Sequence, residues 1–411
     1  MTTKKHIQLI LILGSLTALG PFSIDMYLPG FSGIANDLHT TVAKVSMSLS
    51  SYFIGISAGQ LLYGPLLDRF GRKKPLFIGL MIYILASLGC IYVTNIDSFI
   101  LLRFIQAIGS CAATVASVAM VRDLFPVKDI PKVFSLLMLV VGLSPMLAPT
   151  IGGYVTEDYG WHTVFFILMC MGIVILIASQ IGLPNTYKPD TSISLKPKPI
   201  ITNFLKVIKE PQFYTYAFTG SIAFSGLFSY VAASPIVFMD IYHVDAKTYG
   251  WIFAFMSVSF IGSSQLNSAL LKKYSSEQMI FGALISQSVI SIIFLILALN
   301  NLLGLYETIG MLFLFLFLAC LGISNPNTAG LTLAPFAKNT GSASALMGAI
   351  QLGLGALASF AVGIFVKNSV TPMVAIMTTT TIIAFIILNI GKRFIKEKVT
   401  LSESDDVMVG H

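Results

Sequence analysis

GQLLYGPLLDRFGRKK, Gly59 to Lys74, is the stretch on which the architecture of this chain turns. An apolar run loses its regularity at Gly64 and Pro65. Asp68, Arg69, Gly71, Arg72, Lys73 and Lys74 then crowd together before the next apolar run opens at Pro75. Two long apolar segments joined by so short and so charged a connection read as a helical hairpin in lipid, its turn at one membrane face. Glycine permits the tight turn and close helix approach. Asp68 is placed to pair with an arginine or to cap a helix start, which would hold one conformation of that face closed.

The rest of the sequence repeats the pattern. Charged residues are 10% of the 411 positions and hydrophobic ones 55%, against roughly 25% and 45–50% for a soluble domain. Mean hydropathy is +0.85. Apolar runs of spanning length fall at about 7–29, 41–66, 75–94, 98–120, 130–155, 162–183, 211–239, 248–271, 278–299, 306–330, 340–366 and 371–391. Pro21, Pro145, Pro149, Pro235 and Pro326 lie inside these runs and predict kinks. The first run follows Lys4 and Lys5 as a secretory signal would, but it continues past Pro21 to Leu28, so it is expected to stay as a span.

Twenty-one of the 25 lysines and arginines fall on the side of the N-terminus; the others are Lys44, Arg103, Lys247 and Lys367. Asp37, Asp97, Glu157, Asp158, Asp240, Asp245 and Glu307 occupy the opposite connections. The positive-inside rule then puts both termini in the cytoplasm and the chain in the cytoplasmic (inner) membrane. The net charge of +7 is accounted for by these loops, so nucleic acid is not an expected partner. The longest connection, 184–210, is rich in proline and lysine and divides the chain into 1–183 and 211–392, two six-helix bundles, before a tail at 393–411 that turns acidic at Glu403, Asp405 and Asp406. The predicted fold class is therefore all-α, a membrane protein of two pseudo-symmetric halves.

Several other chemistries are excluded. Gly55-Ile-Ser-Ala-Gly59 matches a hydrolase nucleophile pattern but sits mid-helix, where glycine spacing serves packing. The five histidines lie at helix ends, loops or termini, and the four cysteines have no metal-type spacing, so no metal or cofactor is expected. No Gly-x-x-x-x-Gly-Lys-Ser/Thr loop occurs to take ATP. An enzyme is not expected.

Ionisable residues inside spans mark function, because hydrocarbon makes them costly. Asp25 in the first run and Arg103 in the fourth lie at similar depths, roughly 6–8 Å inside the outer ends at about 1.5 Å per residue, where they can face one another. The alternative is that both reach out to the interface, which suits the long Arg103 better than the short Asp25. A carboxyl group in a partly dehydrated site can exchange a proton near physiological pH, and a neighbouring arginine opposes protonation. Rearranging such a pair would tie protonation to conformation. In the fifth run, SPMLAPTIGG (Ser144 to Gly153) brings Pro145, Pro149, Gly152 and Gly153 into a kinked, close-packing face. Tyr27, Tyr52, Gln60, Gln106, Tyr230, Phe238, Gln265, Asn325 and Gln351 are candidates to line a cavity for an amphipathic small molecule, though each also suits helix packing.

These motifs together resemble a known family. The sequence is similar to the twelve-helix drug:proton antiporters of the major facilitator superfamily, most closely the bicyclomycin-resistance (Bcr/CflA) subfamily. Asp68, Arg69, Gly71, Arg72 and Lys73 resemble the superfamily loop signature. LLRFIQAIGS (Leu101 to Ser110) resembles the helix-four signature with Arg103 and Gln106 at its marked positions. SPMLAPTIGG resembles the antiporter signature, with Ser144 and Ala148 where glycine is usual. DMYLPGF (Asp25 to Phe31) and VRDLF (Val121 to Phe125) look like subfamily marks. The second-half counterpart of the loop signature, around Lys272 and Lys273, is degenerate. The resemblance spans essentially the whole chain. It implies proton-coupled drug efflux by alternating access, a monomer working on a small-molecule substrate and protons, with Asp25 binding protons or cationic drugs and Arg103 sensing that protonation. The alternative on the same fold is a symporter for a defined nutrient or metabolite.

Overall fold

The computed structural model describes residues 3–126, 129–184, 189–190, 197–300, 307–336, 340–366 and 369–395. Lys128, Lys188, Lys196, Lys338, Lys367, Lys396 and Lys398, much of the 184–210 connection and the acidic tail lie outside them. The helices are α1 (Thr3–Asp25), α2 (Phe31–Asp37), α3 (Val42–Phe70), α4 (Lys73–Ile91), α5 (Ile96–Leu124), α6 (Ile130–Tyr159) and α7 (Trp161–Gly182). They continue as α8 (Pro197–Ile208), α9 (Pro211–Pro235), α10 (Ala246–Leu270), α11 (Ser276–Leu299), α12 (Glu307–Leu333), α13 (Thr340–Phe365) and α14 (Thr371–Gly391). Among the described residues, every helix except α2 and α8 has at least 19 residues, and these twelve coincide with the twelve apolar runs.

Ten helical stretches are long and apolar enough by composition alone to cross a bilayer. α3 and α10 fall short because each turns a serine-rich face to protein: Ser46, Ser48 and Ser50 are buried in α3, and Ser257, Ser259 and Asn267 in α10. A helix whose polar stripe is covered by neighbours needs apolarity only on its remaining surface.

The chain divides into two compact units, Met1–Lys196 with Val244–Ala254, and Pro197–His243 with Phe255–His411. In the first, α3 meets α5 through Gly55 and Gly59, where an added Cβ would lie 2.6 Å from Ala107 Cβ and 2.7 Å from Cys111 Cβ. The start of α10 is counted here because Gly250 abuts the Pro149 carbonyl and Thr150 Oγ1 donates to Gly250 O. In the second unit, α8 joins because Val207 is buried in a core with Phe213, Ala217 and Ala343.

Two breaks interrupt the regular helices, the second of them at the predicted kink of Pro235. The first helix ends before the first run does: α1 stops at Asp25, a single 3₁₀ turn follows at Leu28–Gly30, and α2 starts past the run at Phe31. Pro29 in that turn has no N–H to continue the ladder, and it disfavours helical geometry at Leu28. Past Pro235, α9 widens into a π-turn at Ile236–Ile241.

Candidate functional site

The broken end of α1 organises the first unit. Its last backbone hydrogen bond runs from Met26 N–H to Phe22 O. The next carbonyl, that of Ser23, accepts instead from Arg103 Nη2 on α5 at 2.7 Å. A guanidinium from a neighbouring helix thus satisfies a group that helix ends leave orphaned, and it does so where the helix dipole is negative. Arg103 is completely buried. Its cationic carbon lies 4.1 Å from the Tyr27 ring centre, 4.3 Å from that of Tyr52 and 5.6 Å from that of Phe165. It also donates from Nη1 to Gln106 Oε1. Gln106 Nε2 passes the chain on to Ser87 Oγ at 2.7 Å. Tyr27 shares a hydrogen bond with Ser48, Tyr52 with Ser110, and Tyr83 with Ser23. Arg103 Nε remains buried with no acceptor.

Asp25 ends the same helix and is 5% exposed. Among the described residues its carboxyl has no ion-pair partner; Arg103 bonds to the carbonyl two residues earlier. A negative charge here would sit at the unfavourable end of the helix dipole, away from water. The structure therefore brings Tyr27, Tyr52, Arg103 and Gln106 into one buried cluster; Asp25 ends the helix whose Ser23 carbonyl Arg103 holds, without the direct Asp25–Arg103 pairing that similar depth suggested.

The charged turn forms a second site. Arg72 donates to Asp68 Oδ1 at 2.6 Å and to Asp123 Oδ2 at 2.7 Å. Burial alone would lower Arg72, but its bonds to Asp123 and Asp68 outweigh that and hold the guanidinium above its ordinary value. Gly71 has φ +82°, a backbone conformation that favours glycine. Arg69 is half-buried beside Phe70, Lys73 donates to Gln180 O, and Asp190 N–H donates to Asp68 O. A Cβ at Gly64 would meet nothing within 4 Å, so no close approach requires that glycine in this conformation.

α6 supplies the third element. Pro145 and Pro149 lie within a helix that runs unbroken from Ile130 to Tyr159. A Cβ on Gly152 would stand 1.9 Å from the Met26 carbonyl, and one on Gly153 2.4 Å from that of Ala246. The close-packing face thus bears directly on the residue after Asp25.

The remaining cavity candidates belong to both units. Gln60 is half-buried, its Oε1 enclosed without a partner. In the second unit, Tyr230 is buried in α9, Phe238 is buried in the π-turn, Gln265 is exposed, and Gln351 donates to Asn325 at 3.1 Å. Sequence reasoning passed over Asn267, which accepts from Asn327 at 2.7 Å, and Asp123, which stood in a quoted motif. It had no means of seeing the Ser23 carbonyl, because a backbone acceptor leaves no mark in side-chain identity.

The family model described as Major Facilitator Superfamily matches residues 13–361. The chain belongs to the major facilitator superfamily. This major facilitator is 33% identical over 381 residues to a bicyclomycin resistance protein homolog of Haemophilus influenzae, covering 93% of this chain and 95% of that one. It is 27% identical to a chloramphenicol resistance protein of Pseudomonas aeruginosa, over 72% and 70% of the two chains. A crystal structure of a D-xylose-proton symporter superposes with a TM-score of 0.74 at 14% identity, over 93% of this chain and 97% of that one. That likeness concerns the fold. As a member of this superfamily the chain is a multi-pass membrane transporter of small molecules and not an enzyme.

Proposed function

We propose that this transporter expels drugs or similar amphipathic small molecules in exchange for protons, by alternating access, and that Asp25 carries the proton. The observation that bears most weight is the buried Asp25 carboxyl, without an ion-pair partner among the described residues, two positions after the carbonyl that the Arg103 guanidinium holds while its Nε keeps no acceptor. With Asp25 protonated, the helix end is neutral and Arg103 rests on Ser23 O. Loss of the proton leaves a buried charge that costs several kcal/mol unpaired, which draws Arg103 away from the carbonyl and reshapes the α1 break. Gly152 on Met26 would transmit that change to α6. The resistance relatives support drugs as the cargo class.

Tyr27, Tyr52 and Gln106 belong, in this reading, to the proton-coupling cluster. Gln60, Tyr230, Phe238, Gln265, Asn325 and Gln351 remain the proposed substrate contacts. Asp68, Arg69, Gly71 and Arg72, with Gly64 and the Pro145–Gly153 face, gate the transition. The two units correspond to the two halves of a six-plus-six repeat, working as a monomer in the inner membrane with both termini cytoplasmic.

Inside-out vesicles with an imposed pH gradient test this, using bicyclomycin and chloramphenicol within a broader panel. Uphill accumulation is expected for the wild type and is expected to vanish in Asp25→Asn at equal protein level. Undiminished uphill transport by Asp25→Asn would refute the assignment.

A further inference from the structure

α8 is the one described helix of more than seven residues that cannot cross the membrane: its twelve residues reach about 18 Å against a hydrocarbon core of about 30 Å. It connects the end of α7 to the start of α9, and it lies where α12 ends and α13 begins, so it sits at one end of its unit. Three stripes run along it at helical spacing.

The first stripe, Asn203 and Val207, is the one tied to protein, through an exposed hydrogen bond at Asn203 and burial at Val207. Asn203 donates to Ser342 at 2.9 Å, and Val207 is 2% exposed in the core with Phe213 and Ala343. The second, Ile201, Leu205 and Ile208, lies beside it, with Ile201 53% and Leu205 50% exposed. The third, Thr202, Lys206 and Lys209, is exposed and adjoins the second. A helix wholly in water would not present isoleucine and leucine at i and i+4, and a helix buried in protein would not expose them. Protein on one flank, apolar surface next and lysines beyond is the order met by a helix lying at a bilayer surface, where stems and branched side chains reach the acyl boundary and ammonium groups stay with the headgroups.

We propose that α8 is an interfacial helix that docks on anionic lipid, with Ile201 and Leu205 at the acyl boundary and Lys206 and Lys209 on lipid phosphates. The charge complementarity chooses the occupant: lysines bordering an apolar stripe match an anionic leaflet, and a second copy of the same basic helix would be repelled. The surface is distinct from the transport cluster and would tether the linker between the two units to the membrane.

Spin labels at Ile201→Cys, Thr202→Cys and Leu205→Cys, one at a time in the full-length protein on a Cys170→Ser background, read the depth of each face. The other cysteines, Cys90, Cys111 and Cys320, are buried. In nanodiscs of mixed phosphatidylglycerol and phosphatidylcholine, labels at 201 and 205 are expected to collide with oxygen and be shielded from a water-soluble nickel complex, and the label at 202 to show the reverse. Shielding at 205 should fall severalfold in phosphatidylcholine alone, and Lys206→Glu with Lys209→Glu should remove that lipid dependence. Free nickel access at 201 and 205 would overturn the proposal by placing this face in water. So would spin–spin broadening between copies, which would place it in a dimer. Equal shielding in both lipid mixtures would overturn the anionic part. A thermal-stability check on each variant excludes unfolding as the cause.

Discussion

The two units each hold six long helices, apart from the start of α10 that packs with the first, but keep different interiors. Among the described residues, the only buried aspartate, glutamate, lysine or arginine side chains are Asp25 and Arg103, both in the first unit. The second buries neutral amides and hydroxyls: Gln287, Asn267, Asn327, Thr378 and Thr381. Their equivalent hairpin turns differ in the same way. Between α3 and α4 an Asp68–Arg72–Asp123 triad closes the turn, whereas α11 starts from a neutral capping box, Ser275 with Gln278, and Lys272 and Lys273 stay exposed. A repeated fold therefore does not repeat its electrostatics. On the proposed function, proton coupling belongs to the unit that buries the charges, and recognition falls more to the other.

The largest effect should come from the charged interior. Arg103→Ala strips Ser23 O, Gln106 and two tyrosine rings of their partner, and pH-driven transport should fall about a hundredfold or more, given roughly 1.5–3 kcal/mol per charged hydrogen bond. Arg103→Lys should not rescue it, since an ammonium lacks the planar fork. Gln287→Leu is the counterpart in the second unit. Both amide atoms of Gln287 are buried without partners, so a leucine should leave thermal stability unchanged or raise it. Loss of transport at undiminished stability in Gln287→Leu would break the asymmetry by revealing a polar site there.

Next come the glycines. Gly152→Ala forces a methyl against the Met26 carbonyl, which is backbone and cannot rotate aside; transport should fall at least tenfold, with lower thermal stability. Gly64→Ala meets open space and should stabilise α3 by about 0.5–1 kcal/mol. If Gly64→Ala instead impairs transport while the protein melts higher, the glycine is needed in a conformation other than this one.

The smallest effects belong to the turns. Arg72→Ala should cost about 1–3 kcal/mol in thermal unfolding, toward the low end because Asp68 is 46% exposed. Lys272→Ala should stay within about 0.5 kcal/mol. Equal losses would mean that the second turn stabilises its unit as much as the first.

Hydropathy made the twelve spans legible because lipid imposes apolarity on any surface facing it, and even the serine-rich α3 and α10 kept enough to be seen. Asp25 and Arg103 stood out for the converse reason, being the rare charges within spans. What could not be read was how a side chain meets backbone. Nothing in residue identity showed that Arg103 would take the Ser23 carbonyl in place of the carboxylate. α8 was missed because its apolar stripe is too short to register as a span, and prolines and lysines dominated the reading of that connection. Asp123 lay in a recognised motif, yet its pairing with Arg72 crosses 51 positions and depends on the packing of α5 against the α3–α4 turn.

Proton release on drug binding tests the central claim most directly. Detergent-solubilised transporter in weak buffer, with a pH indicator, is mixed with whichever panel compound the wild type transports. The wild type should release protons in proportion to bound drug, and Asp25→Asn, bound to saturation with the same compound, should release none. Release of the same number of protons by Asp25→Asn would show that another group carries them, and the role given to the end of α1 would be wrong.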